Sequence, residues 1–248
     1  MKHALLFCLT AVLVGNLSAQ TLDQLHWFTE DFPPYNYADN NGASGLMVDV
    51  LHSISTLLDE PVDPANIQVF PWTRAVHNAQ QDQQSVLFSL ARTEQREAQY
   101  QWVGPVLPIR IVMIGSPQAA ERLPEHWRIG VVRDDVAVRL VTAAGYQPDQ
   151  LVYSTYPASI ARMLQAERID VWAYGELPAQ QRLDALPGHD DWQVLQVLSA
   201  TQAYFGFHPQ VDPQLVERFR FGLQQMTEPD ASGMAPLDQL IQRYSTAD

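Results

Sequence analysis

Two hydrophobic periods alternate along the chain. Short strand-type runs stand at residues 25–29 (LHWFT), 66–70 (NIQVF) and 85–90 (SVLFSL). Between them, Met47, Val50, Leu51, Ile54, Leu57 and Leu58 recur at helical spacing, and a second helical segment, PWTRAVHNAQ, opens on Pro71. The first part is therefore a βαβαβ series, which buries its apolar faces by laying helices on a parallel sheet. The pattern begins again after residues 102–115. RIGVV, LVYST and IDVWAYG read as strands, with helices over DVAVRLVTAAG, ended by Gly145, and PASIARMLQAER.

Two α/β units in succession predict two lobes rather than one long sheet. The last stretch, PQLVERFRFGLQQM and PLDQLIQRY, is helical with no sheet of its own, so it is expected to return over the first lobe. The expected division is residues 20–107 for the first lobe, 108–200 for the second, and 201–248 for the return. The two crossings between lobes are placed near Gly104 to Arg110 and Leu198 to Tyr204.

Residues 1–19 are set apart from the fold. Lys2 precedes an apolar core from Ala4 to Gly15, and Ser18 and Ala19 are small, which reads as a cleavable export signal with the mature chain starting near Gln20. The apolar core falls short of the roughly 20 residues that span a bilayer. Cys8 is the one cysteine of the 248 residues, so a mature chain would have no disulfide and no thiolate metal site. The formal charge of the full 248 residues, −13, argues against nucleic acid and anionic membranes as partners. Lys2 is also the only lysine, so every later basic group is an arginine or a histidine, and each arginine gains interest as a planar fork for carboxylate or phosphate. The histidines are scattered, and no HExxH, GxGxxG, Walker or GxSxG pattern occurs, so neither a cofactor nor a metal is expected.

Ligands on open α/β sheets bind beyond the carboxyl ends of the strands. That rule selects Thr29 to Tyr37, Pro71 to Arg74, Ser89 to Arg96, Arg133 to Val136 and Tyr174 to Leu177. With two facing lobes, all five loops can converge on one cleft.

Four landmarks in order resemble a known family. They are FPPYNY followed by GLMVDVLHSI, SLARTEQREAQYQWVGPV, IGVVRDDVA, and MLQAERIDVWA. Together they resemble the bacterial periplasmic solute-binding proteins of amino-acid ABC importers, extracellular solute-binding protein family 3. The resemblance implies a two-lobed α/β fold of periplasmic-binding-protein type, with a two-strand hinge and a ligand cleft between the lobes. It further implies a small polar solute such as an amino acid, captured without catalysis, and an ABC permease as partner; the export signal points to the periplasm, and a closing cleft, poorly served by an obligate interface, to a monomer.

Residue by residue, Arg96 falls on the arginine that clamps a ligand carboxylate, a geometry in which two charge-assisted bonds run in parallel. Ser89 falls on an assisting position, Phe32 on an aromatic that packs against the solute, and Trp72 on a second apolar wall. Thr93 looks like a cap for the short helix bearing Arg96, Tyr35 like a structural ring and Asp49 like a helix-start carboxylate. The bland alternatives are a surface Arg96 paired with Glu94 or Glu97, and rings that belong to the core. Arg74, Arg92 and Arg133 also stand at strand ends, where each either enters the cleft or is a solvated surface group.

The second lobe departs from the family pattern. Asp134, Asp135 and Val136 stand where small hydroxyl residues are usual, and Gly175 stands where the acid for an α-amino group is expected, with Glu176 beside it. Asp135 and Glu176 are therefore expected in the cleft. They suit a solute with separated charges, or a cationic or hydroxylated one. Two other functions use the same scaffold: a periplasmic dehydratase with Glu176 and Asp135 as acid and base, and a module that reports a solute to a membrane receptor.

Overall fold

The computed structural model describes residues 20–187, 191–231 and 233–245. The expected export signal, residues 1–19, lies outside them. In chain order the elements are β1 (His26–Glu30), β2 (Tyr37–Asp39), β3 (Gly42–Ser44), α1 (Leu46–Leu57), β4 (Ile67–Phe70), α2 (Trp72–Gln81) and β5 (Ser85–Ala91). The long strand β6 (Gln101–Gly115) then leads to α3 (Pro117–Ala120), β7 (Ile129–Val132), α4 (Val136–Ala143), β8 (Leu151–Ser154), α5 (Pro157–Gln165), β9 (Val171–Gly175) and α6 (Glu176–Asp184). A second long strand, β10 (Gln193–Phe207), precedes α7 (Pro213–Thr227) and α8 (Pro236–Ser245).

The strands run in the order β4-β1-β5-β10-β6-β9-β7-β8, with β2 and β3 as a separate hairpin. Within each lobe the short strands are parallel: β1 with β4 and β5, β7 with β8 and β9. The two lobes are thus joined in one hydrogen-bonded sheet, which corrects the expectation of two separate sheets. The reason is the length of β6 and β10, 15 residues each, about 50 Å of extended chain. β10 pairs with β5 from Ala203 to Phe207, and β6 pairs with β9 from Ile111 to Gly115. Between those spans, at Pro108–Gln202, Ile109–Thr201 and Arg110–Ala200, the sheet is carried by the β6–β10 ladder alone.

Burial follows the sequence periods. On the first lobe Trp27 meets Phe205, Phe207 and Phe219 at centroid distances of 6.5, 6.0 and 5.8 Å, and Phe219 brings α7 onto the sheet. On the second, Ile129, Val131, Val141, Ile160 and Trp172 are fully buried. Glu60 pairs with Arg218 of α7 and also accepts the Leu22 N–H at 2.8 Å, which ties the returning helix to the start of the fold.

The aromatic turn after β1 is held by the helix behind it. The carbonyls of Pro34 and Tyr35 accept the Leu46 and Met47 N–H groups at 3.1 and 2.8 Å, filling two of the free donors at the start of α1. Gly45 allows this: its φ of 119° lies in the left-handed region, and a Cβ there would stand 2.5 Å from the Tyr35 carbonyl oxygen. Asp49 is consequently not the cap of α1. It accepts the Tyr244 hydroxyl at 3.0 Å and fastens α8 to α1.

Phe219 joins helix to sheet with no polar contribution, so Phe219→Ala is expected to cost about 3–5 kcal/mol of stability. Urea unfolding measures it; a loss below about 1 kcal/mol would show that α7 is not a structural part of the first lobe.

Candidate ligand-binding site

The strand ends of both lobes meet over the crossing strands. Glu30, Phe32, Trp72, Ser89, Arg96, Ile109, Ile111, Asp135 and Thr201 line a shared cavity of about 20 Å³, room for roughly one water. Five of the six residues expected at a site are therefore brought together: Phe32, Trp72, Ser89, Arg96 and Asp135. The sixth, Glu176, is not among the lining residues. As the first residue of α6 it lies beside β6 and pairs with Arg110 at 2.6 Å.

Arg96 is partly buried and does not pair with Glu94 or Glu97. Glu97 is engaged instead by Arg92, whose Nε donates to it at 2.8 Å. The Arg96 guanidinium donates to two backbone carbonyls, Ala91 at 3.2 Å and Asp134 at 3.3 Å, and lies 5.0 Å from the centroid of the Trp72 ring. It takes part in none of the ion pairs found among the described residues. Desolvation pulls its pKa down, and Asp135 opposes that pull. Thr93 precedes the turn Glu94–Gln99 that carries Arg96, but its side chain makes no cap bond; its backbone carbonyl accepts the Arg96 N–H at 3.0 Å.

Ser89 sits at a bulge. Phe88 and Leu90 face Phe205 and Tyr204 while Ser89 is skipped, and its φ of 61° is unusual for a residue with a Cβ. Its hydroxyl donates to the Asn36 side chain, whose Nδ2 in turn donates to the Glu30 carbonyl at 2.6 Å. The strand end is thereby fixed to the aromatic turn.

Several contacts cross between the lobes. Trp72 Nε1 donates to the Asp134 carbonyl at 2.9 Å. The Tyr174 hydroxyl donates to Glu30 Oε2 at 3.3 Å, and Arg182 reaches Asp31, its carbonyl at 2.7 Å and its carboxylate at 2.9 Å. Asp134 adopts a φ of 60°, and Asp135 caps α4 by accepting the Ala137 N–H at 2.7 Å. The capping carboxylate is partly buried, and desolvation raises its pKa against that hydrogen bond and Arg96.

Glu30 lies outside the six residues expected at the site. It closes β1 in full burial, 5% exposed, where its pKa stands well above the usual glutamate range. Desolvation is the main cause and Asp135 across the cleft the second; the Tyr174 hydrogen bond and Arg182 oppose them. An acid directly after the apolar run LHWFT, inside the loop range chosen by the strand-end rule, was the available signal. Thr201, in the middle of a crossing strand, had none. The remaining strand-end arginines stay outside the cavity: Arg74 stacks on Phe70 at 4.3 Å, Arg133 on Tyr153 at 5.3 Å and Arg92 near Trp102 at 5.6 Å.

Glu30 gives the protein a pH dependence with a defined sign. The folded state holds its proton to higher pH than the unfolded chain does, so the folded state binds more protons from 4.5 up to the raised value, and stability falls across that window. Glu30→Gln keeps the Tyr174 contact and removes this loss. The variant should therefore gain melting temperature over the parent as pH rises above about 5, with the gain vanishing near pH 4. A difference that does not change with pH would contradict the assignment. Asp135, shifted the same way, leaves part of the slope in the variant.

The sequence pattern of the family described as bacterial extracellular solute-binding proteins, family 3, matches residues 26–232. No curated protein matches the chain by sequence. Among solved structures, a histidine kinase sensor domain with similarity to periplasmic binding proteins aligns with a TM-score of 0.73 and 18% identity, covering 90% of this chain and 96% of its own. An amino-acid ABC transporter substrate-binding protein from Streptococcus pneumoniae bound to L-arginine aligns at 0.70 and 16%, covering 88% and 93%. An ancestral amino-acid-binding protein, a precursor of cyclohexadienyl dehydratase, aligns at 0.67 and 12%, covering 88% and 94%. At these identities the likeness is one of fold.

Proposed function

The chain belongs to the bacterial extracellular solute-binding proteins of family 3, and from that premise we propose that it captures a small polar solute between its lobes without chemically altering it. The observation that carries the reading is Arg96. A half-buried guanidinium, held by two carbonyls and an aromatic face and free of the ion pairs found among the described residues, has donors left for a carboxylate. Ser89 and Thr201 add hydroxyls, and Trp72 adds an apolar wall.

Binding requires the lobes to part, because the closed cavity takes only a water-sized group. Parting about the β6–β10 ladder breaks a small set of contacts, chiefly Trp72 with Asp134, Tyr174 with Glu30 and Arg182 with Asp31. A solute that touches both lobes then shifts the balance toward closure. We further take the chain to divide into lobes at residues 107/108 and 200/201, to act outside the inner membrane after export, and to present its closed form as a monomer to an ABC importer. The dehydratase reading is weakened because its proposed acid and base are not assembled: Asp135 lines the cavity while Glu176 is bound to Arg110. No helix among the described residues is long and apolar enough to cross a membrane.

A thermal-shift screen of residues 20–248 against amino acids, polyamines and small organic acids identifies a solute, since binding raises the melting temperature by mass action. Arg96→Ala should then weaken that solute by about 30-fold or more in calorimetry, about 2 kcal/mol, the loss for a buried group deprived of a charged partner. Undiminished affinity would remove Arg96 from the site.

A further inference from the structure

We propose that the empty cleft closes by taking up a proton on Glu30, so that acid shuts the protein without a solute and a rise in pH parts the lobes. Such a switch uses the same parting of the lobes on which solute capture rests, but it needs no solute.

The closed form brings more acids than bases to the lobe contact. From the first lobe come Glu30, Asp31 and Arg96; from the second come Asp135 at the start of α4 and Arg182 of α6. Arg182 is bound to Asp31 at 2.9 Å, and Arg96 is the cation beside Asp135. Glu30 is the acid left over. It is buried, takes part in none of the ion pairs found among the described residues, and receives a hydrogen bond from the neutral Tyr174 hydroxyl at 3.3 Å. Two further charges stand near: Arg139 of α4 faces Arg96, and Glu176, which faces Tyr35, is paired with Arg110. No histidine is among the residues that line the cavity.

An ionised carboxylate shut away from water loses hydration that one neutral hydroxyl does not replace. A proton on Glu30 removes that cost, and burial and the facing Asp135 both drive the group toward its protonated form. Parting the lobes carries Asp135 and Tyr174 away with the second lobe and opens Glu30 to water. The closed form therefore binds more protons than the parted form, and the ratio of closed to parted protein falls as pH rises above 4.5.

The consequence is an acid brake on capture. A solute enters only the parted form, so its apparent affinity falls with the fraction of parted protein. Empty protein is more open near neutral pH and more tightly shut in acid, with the hinge contacts unchanged.

The test uses no solute. Residues 20–248 carry no cysteine, so Thr56→Cys on α1 and Thr142→Cys on α4, both exposed and one on each lobe, can hold spin labels for pulsed distance measurement. As pH rises from 5 to 8, the parent should move from one distance toward a second, with the closed-to-parted ratio falling at least tenfold; each proton taken up supplies at most about tenfold per pH unit. Glu30→Gln keeps the Tyr174 contact without a charge, and should lose most of that change and hold the distance seen at pH 5. Asp135→Asn keeps a capping side chain on α4 and removes the facing acid, so its change with pH should be smaller than the parent's.

A parent distribution that stays fixed from pH 5 to pH 8 would overturn the proposal, as would a Glu30→Gln protein that opens with pH as the parent does. Both results are independent of solute capture, which the affinity of Arg96→Ala decides: a failed solute reading leaves the proton switch standing, and a failed switch leaves Arg96 as the solute's partner.

Discussion

The pairing of β6 with β10 is the constraint on which the rest of the protein depends. These two strands run through both lobes, and from Pro108 to Arg110 they are joined only to each other. Their continuity fixes the strand ends of the first lobe opposite those of the second. It also leaves the crossing as the thinnest part of the sheet, where a rotation breaks few hydrogen bonds. The cleft and its capacity to open therefore arise from one feature: two strands long enough to serve both lobes.

Within the cleft, charge and burial oppose each other. Glu30 and Asp135 come from different lobes and line one small cavity, and burial drives both toward their protonated forms. Arg96 and Arg182 soften that cost, one beside Asp135 and the other beside Glu30. Polar groups of each lobe are satisfied by the other, as with Trp72 and the Asp134 carbonyl. Apolar contact between the lobes includes Phe32 against Tyr174 and Gly175. Closure thus draws on a few directional bonds, which suits the repeated opening that the proposed capture of a solute requires.

The strands and helices of both α/β units were legible because their apolar periods are unambiguous, and the strand-end rule found the loops around Phe32, Trp72, Ser89, Arg96 and Asp135. The continuity of the sheet was not legible, since it depends on the pairing partners of the second half of β6. Helix α6 escaped notice because its polar start, Glu176, was read as a loop acid; as a helix residue it turns to Arg110. Glu30 was obscured by its neighbours, an acid among acids in the turn, and only the closed lobes distinguish it from the exposed Asp31. Gly175 read as a lost acid. The structure gives it a positive role, since the space a side chain would fill holds the Phe32 ring.

The Arg96 guanidinium is the group proposed to receive the solute. The most direct measurement is the proton and nitrogen resonance of the Arg96 side chain, assigned by its disappearance in Arg96→Lys and followed while a solute from the thermal-shift screen is titrated in. The account predicts that this signal moves and saturates with the binding isotherm while those of Arg74, Arg92 and Arg133 stay fixed. A solute that saturates the protein and leaves the Arg96 signal in place would contradict it.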